Sequence, residues 1–198
     1  MTAEELKSLL EAPDKRTYTG FRDFVVMTLL IDTMARINEI LSLKILNVDF
    51  SNEMVTIPAS IAKNRKSRII PIQKHTAKLL RELIKEIDDF DSEYIFLANY
   101  GEPLTPNNFR NQLRRHYIKT AGIKKRVHPH LFRHTAATMF LEAGGDIRHL
   151  QLLLGHSDLR MVMRYTHLSN QALKEQHARY SALNQVTGKL NQKRKTKR

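Results

Sequence analysis

The sequence contains no cysteine, no tryptophan and no apolar run long enough to cross a bilayer. Without thiols the chain cannot form disulfides, use a cysteine nucleophile or bind zinc through sulfur. Its longest largely apolar run, residues 25–31, is far shorter than the roughly 20 residues of a membrane-spanning helix, and the first residues lack a signal-peptide pattern. We therefore expect a protein that has no membrane partner and works in a reducing compartment, the cytoplasm.

Acidic residues are scarce relative to basic ones: 20 Asp and Glu stand against 33 Lys and Arg, which gives a net charge of +13. This excess predicts a polyanionic partner, with nucleic acid the leading candidate. Six basic residues lie within residues 189–198, and the rest of the chain is still basic without them. We expect one domain over residues 1–185, followed by a basic, disordered tail over residues 186–198.

Helical periodicity dominates the chain, and three short strands interrupt it. The capping box formed by Thr2 and Glu5 predicts a first helix, and Pro106 marks the start of a later one. We expect helices at about residues 2–12, 20–34, 39–43, 76–87, 105–120 and beyond, with strands at about residues 45–50, 54–58 and 68–72. A further short stretch, residues 94–97, looks like a strand. The fold class is α+β, mainly helical, with a small antiparallel three-stranded sheet.

Residues whose side chains could take part in catalysis are concentrated between positions 128 and 169. His130 and Arg133 lie three apart in a helix that Pro129 opens, so both side chains share one helical face that could bind an anion. A helix over residues 147–154 ends at a glycine, which is directly followed by His156, and Tyr165 comes nine residues later. These four side chains can cleave a phosphodiester without a metal ion.

This ordered set resembles that of the tyrosine recombinases, the phage-type integrases and Xer-like enzymes. Two further landmarks of that family lie upstream: Arg36, within residues 34–40, and Lys63, within the hairpin-like residues 62–71. All six landmarks occur in the family's order, and the resemblance covers roughly residues 2–183. It implies the tyrosine-recombinase catalytic fold and a DNA substrate.

The expected chemistry assigns a role to each landmark. Arg36 and Arg133 would hold the nonbridging phosphate oxygens, because guanidinium is permanently charged and its forked donors fit phosphate. Tyr165 would attack the phosphorus and form a phosphotyrosine link that conserves the bond, so that rejoining needs no ATP. His130 would exchange the phenol proton, and His156 would donate a hydrogen bond to the phosphate.

The departing 5′ oxygen needs a proton, and two lysines of the same hairpin could supply it. Lys63 matches the family's position, whereas Lys66 lies three residues further on, and a hairpin register is easily misjudged by one residue. We assign the role of proton donor to Lys63 and keep Lys66 as the alternative donor.

Metal-dependent chemistry is less well supported by the sequence. His128, His130 and His134 cluster, but the His-Glu-x-x-His pattern is absent, and Arg133 would place a cation beside the metal. The acidic residues within 88–91 form a single loop-like cluster rather than a pair of separated carboxylates. We therefore expect no metal and no cofactor.

Two functions fit these residues. The first is a site-specific DNA recombinase or integrase, with a topoisomerase of type IB as a relative that shares the chemistry. The second is a catalytically silent DNA-binding regulator on the same fold. The family resemblance implies four protomers acting on two duplexes, and an N-terminal DNA-clamping domain that is absent from this chain, either removed or never present. The target site, the host or mobile element, and the choice among integration, excision and chromosome-dimer resolution stay open.

Overall fold

The computed structural model describes residues 1–155, 160–163, 174 and 177–183. The chain divides into two compact units, Met1–Tyr165 and Thr166–Arg198. In the second unit, residues 177–180 are helical. The tail expected over residues 186–198 lies outside the described residues.

The first unit is mainly helical, which confirms the expected fold class. Its α-helices are α1 (Ala3–Glu11), α2 (Tyr18–Thr33), α3 (Ile37–Leu41), α4 (Lys74–Glu86), α5 (Pro106–Gln112), α6 (Ile118–Thr120), α7 (Pro129–Glu142), α8 (Ile147–Leu154) and α9 (Arg160–Met163). A π-helical turn, Leu113–Tyr117, joins α5 to α6. The expected helix over residues 105–120 therefore forms, with this one change of hydrogen bonding in its middle.

The sheet has three antiparallel strands in the order β1 (Val48–Asp49), β2 (Met54–Ile57) and β3 (Arg68–Pro71). Val55 of β2 faces Val48 on one side and Ile70 on the other, which fixes the register. The connection between β2 and β3 is a ten-residue loop, residues 58–67. The expected hairpin is thus confirmed, and its loop carries Lys63.

Two strand predictions were wrong in detail. Residues 45–47 form a 3-10 turn instead of the start of β1, because the Asn47 side chain accepts a hydrogen bond from the Lys44 backbone N–H and curls the chain. Residues 94–97 form no strand: Tyr94 and Leu97 make only isolated bridges, to Lys44 and to Pro103. Both segments are apolar enough for a strand. Hydrogen bonds with a local side chain and with distant parts of the backbone give them a different conformation.

Helix α2 forms the centre of the main core and packs against α1, α4 and α7. Three fully buried aromatic rings, Phe96, Phe109 and Phe132, come from separate segments of the chain and fill this core. Burying each such side chain contributes roughly 1.5–3 kcal/mol. A second, smaller cluster contains Met34, Ala136, Ala137, Leu150, Leu154 and Val162. It packs α7, α8 and α9 against the end of α2.

Within the described part of the chain, no helix combines the length and the apolar character that crossing a membrane requires.

Candidate active site

The first feature of the site is the sharp turn between α2 and α3. Helix α2 ends at Thr33, and its C-cap, Met34, has a left-handed φ of 52°, a conformation that few residues other than glycine adopt. The Ala35 backbone N–H donates to the Thr33 hydroxyl at 3.2 Å and stabilises this turn. Arg36 then stands as the N-cap of α3. The turn thus places Arg36 beside the end of α2.

Glu39 is the buried acceptor of this region, with only 1% of its surface exposed. It accepts hydrogen bonds from the Arg36 backbone N–H at 2.9 Å and from Arg36 Nη1 at 3.1 Å. Arg68 of β3 donates to the same carboxylate through Nη2 at 2.6 Å. Burial raises the pKa of Glu39, but the hydrogen bonds from Arg68 and Arg36 outweigh it and hold the pKa below its ordinary value. The carboxylate is therefore ionised and fixes both arginines.

Arg133 lies on α7 and is almost completely buried. Its Nη1 donates to the Met34 carbonyl at 2.6 Å, and its Nη2 donates to the Leu154 carbonyl at 2.7 Å. Pro129 opens α7 at the first helical position, as the sequence predicted. One guanidinium thus joins the end of α2, two residues before Arg36, to the end of α8.

His130 occupies the first turn of α7, one turn before Arg133. The His130 side chain is exposed, but the surrounding protein desolvates part of the ring and lowers its pKa, and the nearby charges of His128, Arg133, Arg110 and Arg36 lower it further. The ring is therefore neutral at pH 7 and can accept a proton. Arg36 and Arg133 therefore lie close enough to His130 for their charges to act on its ring.

Arg110 is a neighbour of His130 that sequence reasoning missed. It lies on α5 with an exposed side chain and donates to the Asn107 side chain at 2.9 Å. Its positive charge nevertheless acts on His130 of α7. In the sequence, Arg110 is one of many basic residues, and only the packing of α5 near α7 distinguishes it.

Lys63 and Lys66 both have exposed side chains in the loop of residues 58–67. Between them, Asn64 donates from Nδ2 to the Gly155 carbonyl at 2.9 Å. Its Oδ1 accepts from the Lys66 backbone N–H at 3.2 Å. Gly155 ends α8 with a left-handed φ of 61°, as predicted. The lysine-bearing loop is therefore attached to the end of α8, which Arg133 also holds.

The remaining two landmarks, His156 and Tyr165, lie outside the described residues. The structure brings Arg36, His130 and Arg133 together and attaches the Lys63 loop to the same helix end. In the described ranges, no group of three or more His, Asp or Glu side chains could hold a metal ion.

Comparisons with known proteins find relatives over most of this chain. The model of the phage integrase family matches residues 1–172. Tyrosine recombinase XerC of Chlamydia caviae is 32% identical over 181 residues, which is 89% of this chain and 57% of that protein. Tyrosine recombinase XerC of Staphylococcus carnosus is 34% identical over 175 residues, which is 87% of this chain and 58% of that protein. The chain thus spans less than two thirds of the length of these relatives.

Solved structures show the same fold. The crystal structure of XerA recombinase is 31% identical, has a TM-score of 0.75, and matches over 90% of this chain and 64% of its own. XerH site-specific recombinase, solved bound to its difH substrate in a pre-cleavage complex, is 28% identical with a TM-score of 0.74, over 90% of this chain and 53% of its own. The catalytic domain of bacteriophage HP1 integrase is similar in fold alone, at 24% identity and a TM-score of 0.67, over 93% of this chain and 95% of its own.

Proposed function

This chain belongs to the phage integrase family, and we propose that it is a site-specific DNA recombinase that cleaves and rejoins DNA through a 3′-phosphotyrosine intermediate. The observation that carries the proposal is the proximity of Arg36 and Arg133 to His130. Two guanidinium groups that can bind phosphate stand beside a neutral imidazole that can accept a proton. Phosphodiester cleavage without a metal ion needs this combination, because negative charge builds on the nonbridging oxygens in the transition state.

The proposed reaction uses the six landmarks in fixed roles. The Tyr165 hydroxyl attacks the phosphorus and gives its proton to His130, while Arg36 and Arg133 neutralise the developing charge. The bond to the 5′ oxygen breaks, and that oxygen takes a proton from Lys63, with Lys66 the alternative donor. His156 donates a hydrogen bond to the same phosphate. Attack by a second DNA 5′ hydroxyl on the phosphotyrosine reverses the step and rejoins the strand, without ATP.

The proposed substrate is double-stranded DNA. Exposed basic side chains follow the helical stretch from α5 to α6 and continue into the loop before α7: Arg110, Arg114, Arg115, Lys119, Lys124 and Arg126. Such a row can neutralise phosphates along a duplex. Lys125 of the same loop is paired with Glu5. The basic tail, residues 186–198, would add affinity without reading bases, because a disordered run of cations has no fixed geometry. XerH site-specific recombinase was solved bound to its difH substrate, and the Tn1549 transposon integrase, similar in fold, was solved in complex with a circular intermediate DNA.

We further propose that the protein acts in the cytoplasm and works on DNA as a homotetramer, one protomer for each exchanged strand. It would be a monomer in solution and assemble on its site. The same cleavage and rejoining reaction would allow the protein to act as the integrase of a mobile element.

A catalytically silent DNA-binding regulator is the competing function, and covalent trapping separates the two. We expect the purified chain to form an SDS-resistant adduct with a nicked duplex in EDTA and without nucleotide, since arginines replace a metal ion as the charge stabiliser. The nick lets the short cleaved fragment diffuse away and traps the intermediate. Binding of the same duplex without any adduct would favour the silent regulator, whereas an adduct that requires magnesium would contradict the metal-free mechanism.

The lowered pKa of His130 predicts how cleavage depends on pH. Because protonation removes its ability to accept the phenol proton, the second-order rate constant for cleavage should fall as pH drops. That constant reports the free enzyme, so the midpoint of the fall should lie below the ordinary histidine value of about 6.5. Cleavage rates measured from pH 5 to 8 check this, and His130→Ala should remove the inflection. A midpoint above that value would contradict the assigned role.

A further inference from the structure

The last carbonyl groups of α8 are held by three different elements. Leu153 O accepts from Arg68 Nε at 3.2 Å, Leu154 O accepts from Arg133 Nη2 at 2.7 Å, and Gly155 O accepts from Asn64 Nδ2 at 2.9 Å. Carbonyls at a helix C-terminus have no partner within the helix and carry partial negative charge, so donors from elsewhere fix them well. β3, α7 and the loop of residues 58–67 therefore meet at one helix end.

Asn64 differs from the two arginines in what it holds. Arg68 and Arg133 extend from a strand and a helix, which are rigid already. Asn64 belongs to a loop, and its carboxamide is used at both ends: Nδ2 donates to Gly155, and Oδ1 accepts from the Lys66 backbone N–H. One side chain thus shapes the loop and attaches it to α8. Lys63 is the residue immediately before it, with an exposed side chain.

Gly155 accommodates this attachment. Its left-handed φ of 61° turns the backbone so that its carbonyl can meet Asn64, and the Arg68 side chain lies 3.1 Å from where a Cβ would stand. A side chain at this position would therefore press on Arg68 as well as strain the backbone. In the sequence the next residue is His156. The contact between Asn64 and Gly155 consequently joins the loop that carries Lys63 to the residue directly before His156.

We propose that Asn64 is a positioning residue that holds the loop of residues 58–67 against α8, so that the lysine beside it reaches the departing 5′ oxygen. This inference rests on the proposed recombinase function. Asn64 touches neither DNA nor the reacting atoms in this role. It acts through Lys63: Ala62 anchors the start of the exposed loop segment in the core, and Asn64 limits the positions that the segment after it can take. A general acid must lie within hydrogen-bond reach of its oxygen, and a misplacement of about 1 Å can cost about 10²-fold in rate.

The test compares two leaving groups on the same nicked duplex. One substrate carries the natural 5′ oxygen at the cleaved bond, and the other carries sulfur, which departs without a proton. Asn64→Ala should cleave the oxygen substrate about 10- to 100-fold more slowly than the unaltered chain. It should cleave the sulfur substrate at nearly the unaltered rate. Asn64→Asp, which keeps the acceptor for Lys66 N–H but loses the donor to Gly155 O, should behave in the same way.

Asn52→Ala is the matched control. Asn52 lies in the turn between β1 and β2 of the same sheet, is exposed, and donates to Asp49 within that turn. It should leave both rates unchanged. A double variant, Lys63→Ala with Asn64→Ala, should be no slower on the oxygen substrate than Lys63→Ala alone, because both changes remove the same proton transfer.

The possible failures are distinguishable. Equal slowing of Asn64→Ala on both substrates would make Asn64 merely structural, and unchanged rates on the oxygen substrate would remove it from the reaction; either result overturns the inference. An unaltered chain that cleaves neither substrate would instead overturn the recombinase proposal. Limited trypsin digestion tests the attachment without any DNA: Asn64→Ala should be cut faster than Asn52→Ala after Lys63, Arg65 or Lys66. Equal cutting would show that the loop is not held by Asn64.

Discussion

Replacing Tyr165 by phenylalanine is expected to abolish the covalent DNA adduct completely and to leave non-covalent DNA binding intact. The phenol oxygen is the only atom removed, and it is the atom that would bond to phosphorus. The loss should therefore be total, in contrast to the partial losses expected at the phosphate-binding residues. Gel analysis in SDS measures the adduct, and a filter or mobility-shift titration measures the binding.

Tyr180→Phe provides the control for that result. Tyr180 is a largely exposed tyrosine in residues 177–183, and the same atom is removed. Its adduct yield should equal that of the unaltered chain. An adduct that survives Tyr165→Phe but disappears in Tyr180→Phe would reassign the nucleophile, as would one that depends on Tyr117.

Arg133→Ala is expected to produce the second-largest effect, on cleavage and on stability together. Removing a donor to the transition-state phosphate costs roughly 10²-fold or more in rate. The same change leaves the carbonyls of Met34 and Leu154 without their guanidinium partner. Hydrogen bonds to a charged group contribute about 1.5–3 kcal/mol each, so losing both should lower the free energy of unfolding by about 3–6 kcal/mol.

Two further variants separate these effects. Arg133→Lys keeps the charge but cannot span both carbonyls with a fork, so cleavage should still fall strongly while less stability is lost. Arg16→Ala removes an exposed arginine that pairs with Asp14 and should change neither quantity. Urea unfolding gives the stability, and cleavage is measured at a temperature where circular dichroism shows each variant folded. Full cleavage by Arg133→Ala would remove this residue from the site.

Much of the fold could be predicted because its signals are local. The capping box of Thr2 and Glu5, Pro129 at the start of α7 and Gly155 at the end of α8 each act within one helical turn, and all three are confirmed. The start of β1 was mispredicted because residues 45–47 read as an apolar run. The Asn47 side chain, which bonds the backbone N–H of Lys44, turns that segment into a 3-10 turn.

The contacts of the site also divide into local ones, which the sequence could predict, and long-range ones, which it could not. The pairing of Arg36 with Glu39 lies at a spacing of three residues and could be expected from the sequence. The contacts of Arg68 with Glu39 and of Asn64 with Gly155 join residues 29 and 91 positions apart. No periodicity encodes such contacts, since they depend on how β3 packs against α3 and how the loop after β2 packs against the end of α8. The same holds for Arg110, whose nearness to His130 depends on the packing of α5.

The central claim is that this chain cleaves DNA by forming a bond between Tyr165 and a 3′ phosphate. Its most direct test is to trap the adduct on a nicked duplex in EDTA, digest the protein and the DNA, and identify the peptide that carries the nucleotide by mass spectrometry. We expect one modified peptide, with the nucleotide linked through its 3′ phosphate to Tyr165. A link at any other residue, a 5′ linkage, or no modified peptide from a duplex that the chain binds would contradict it.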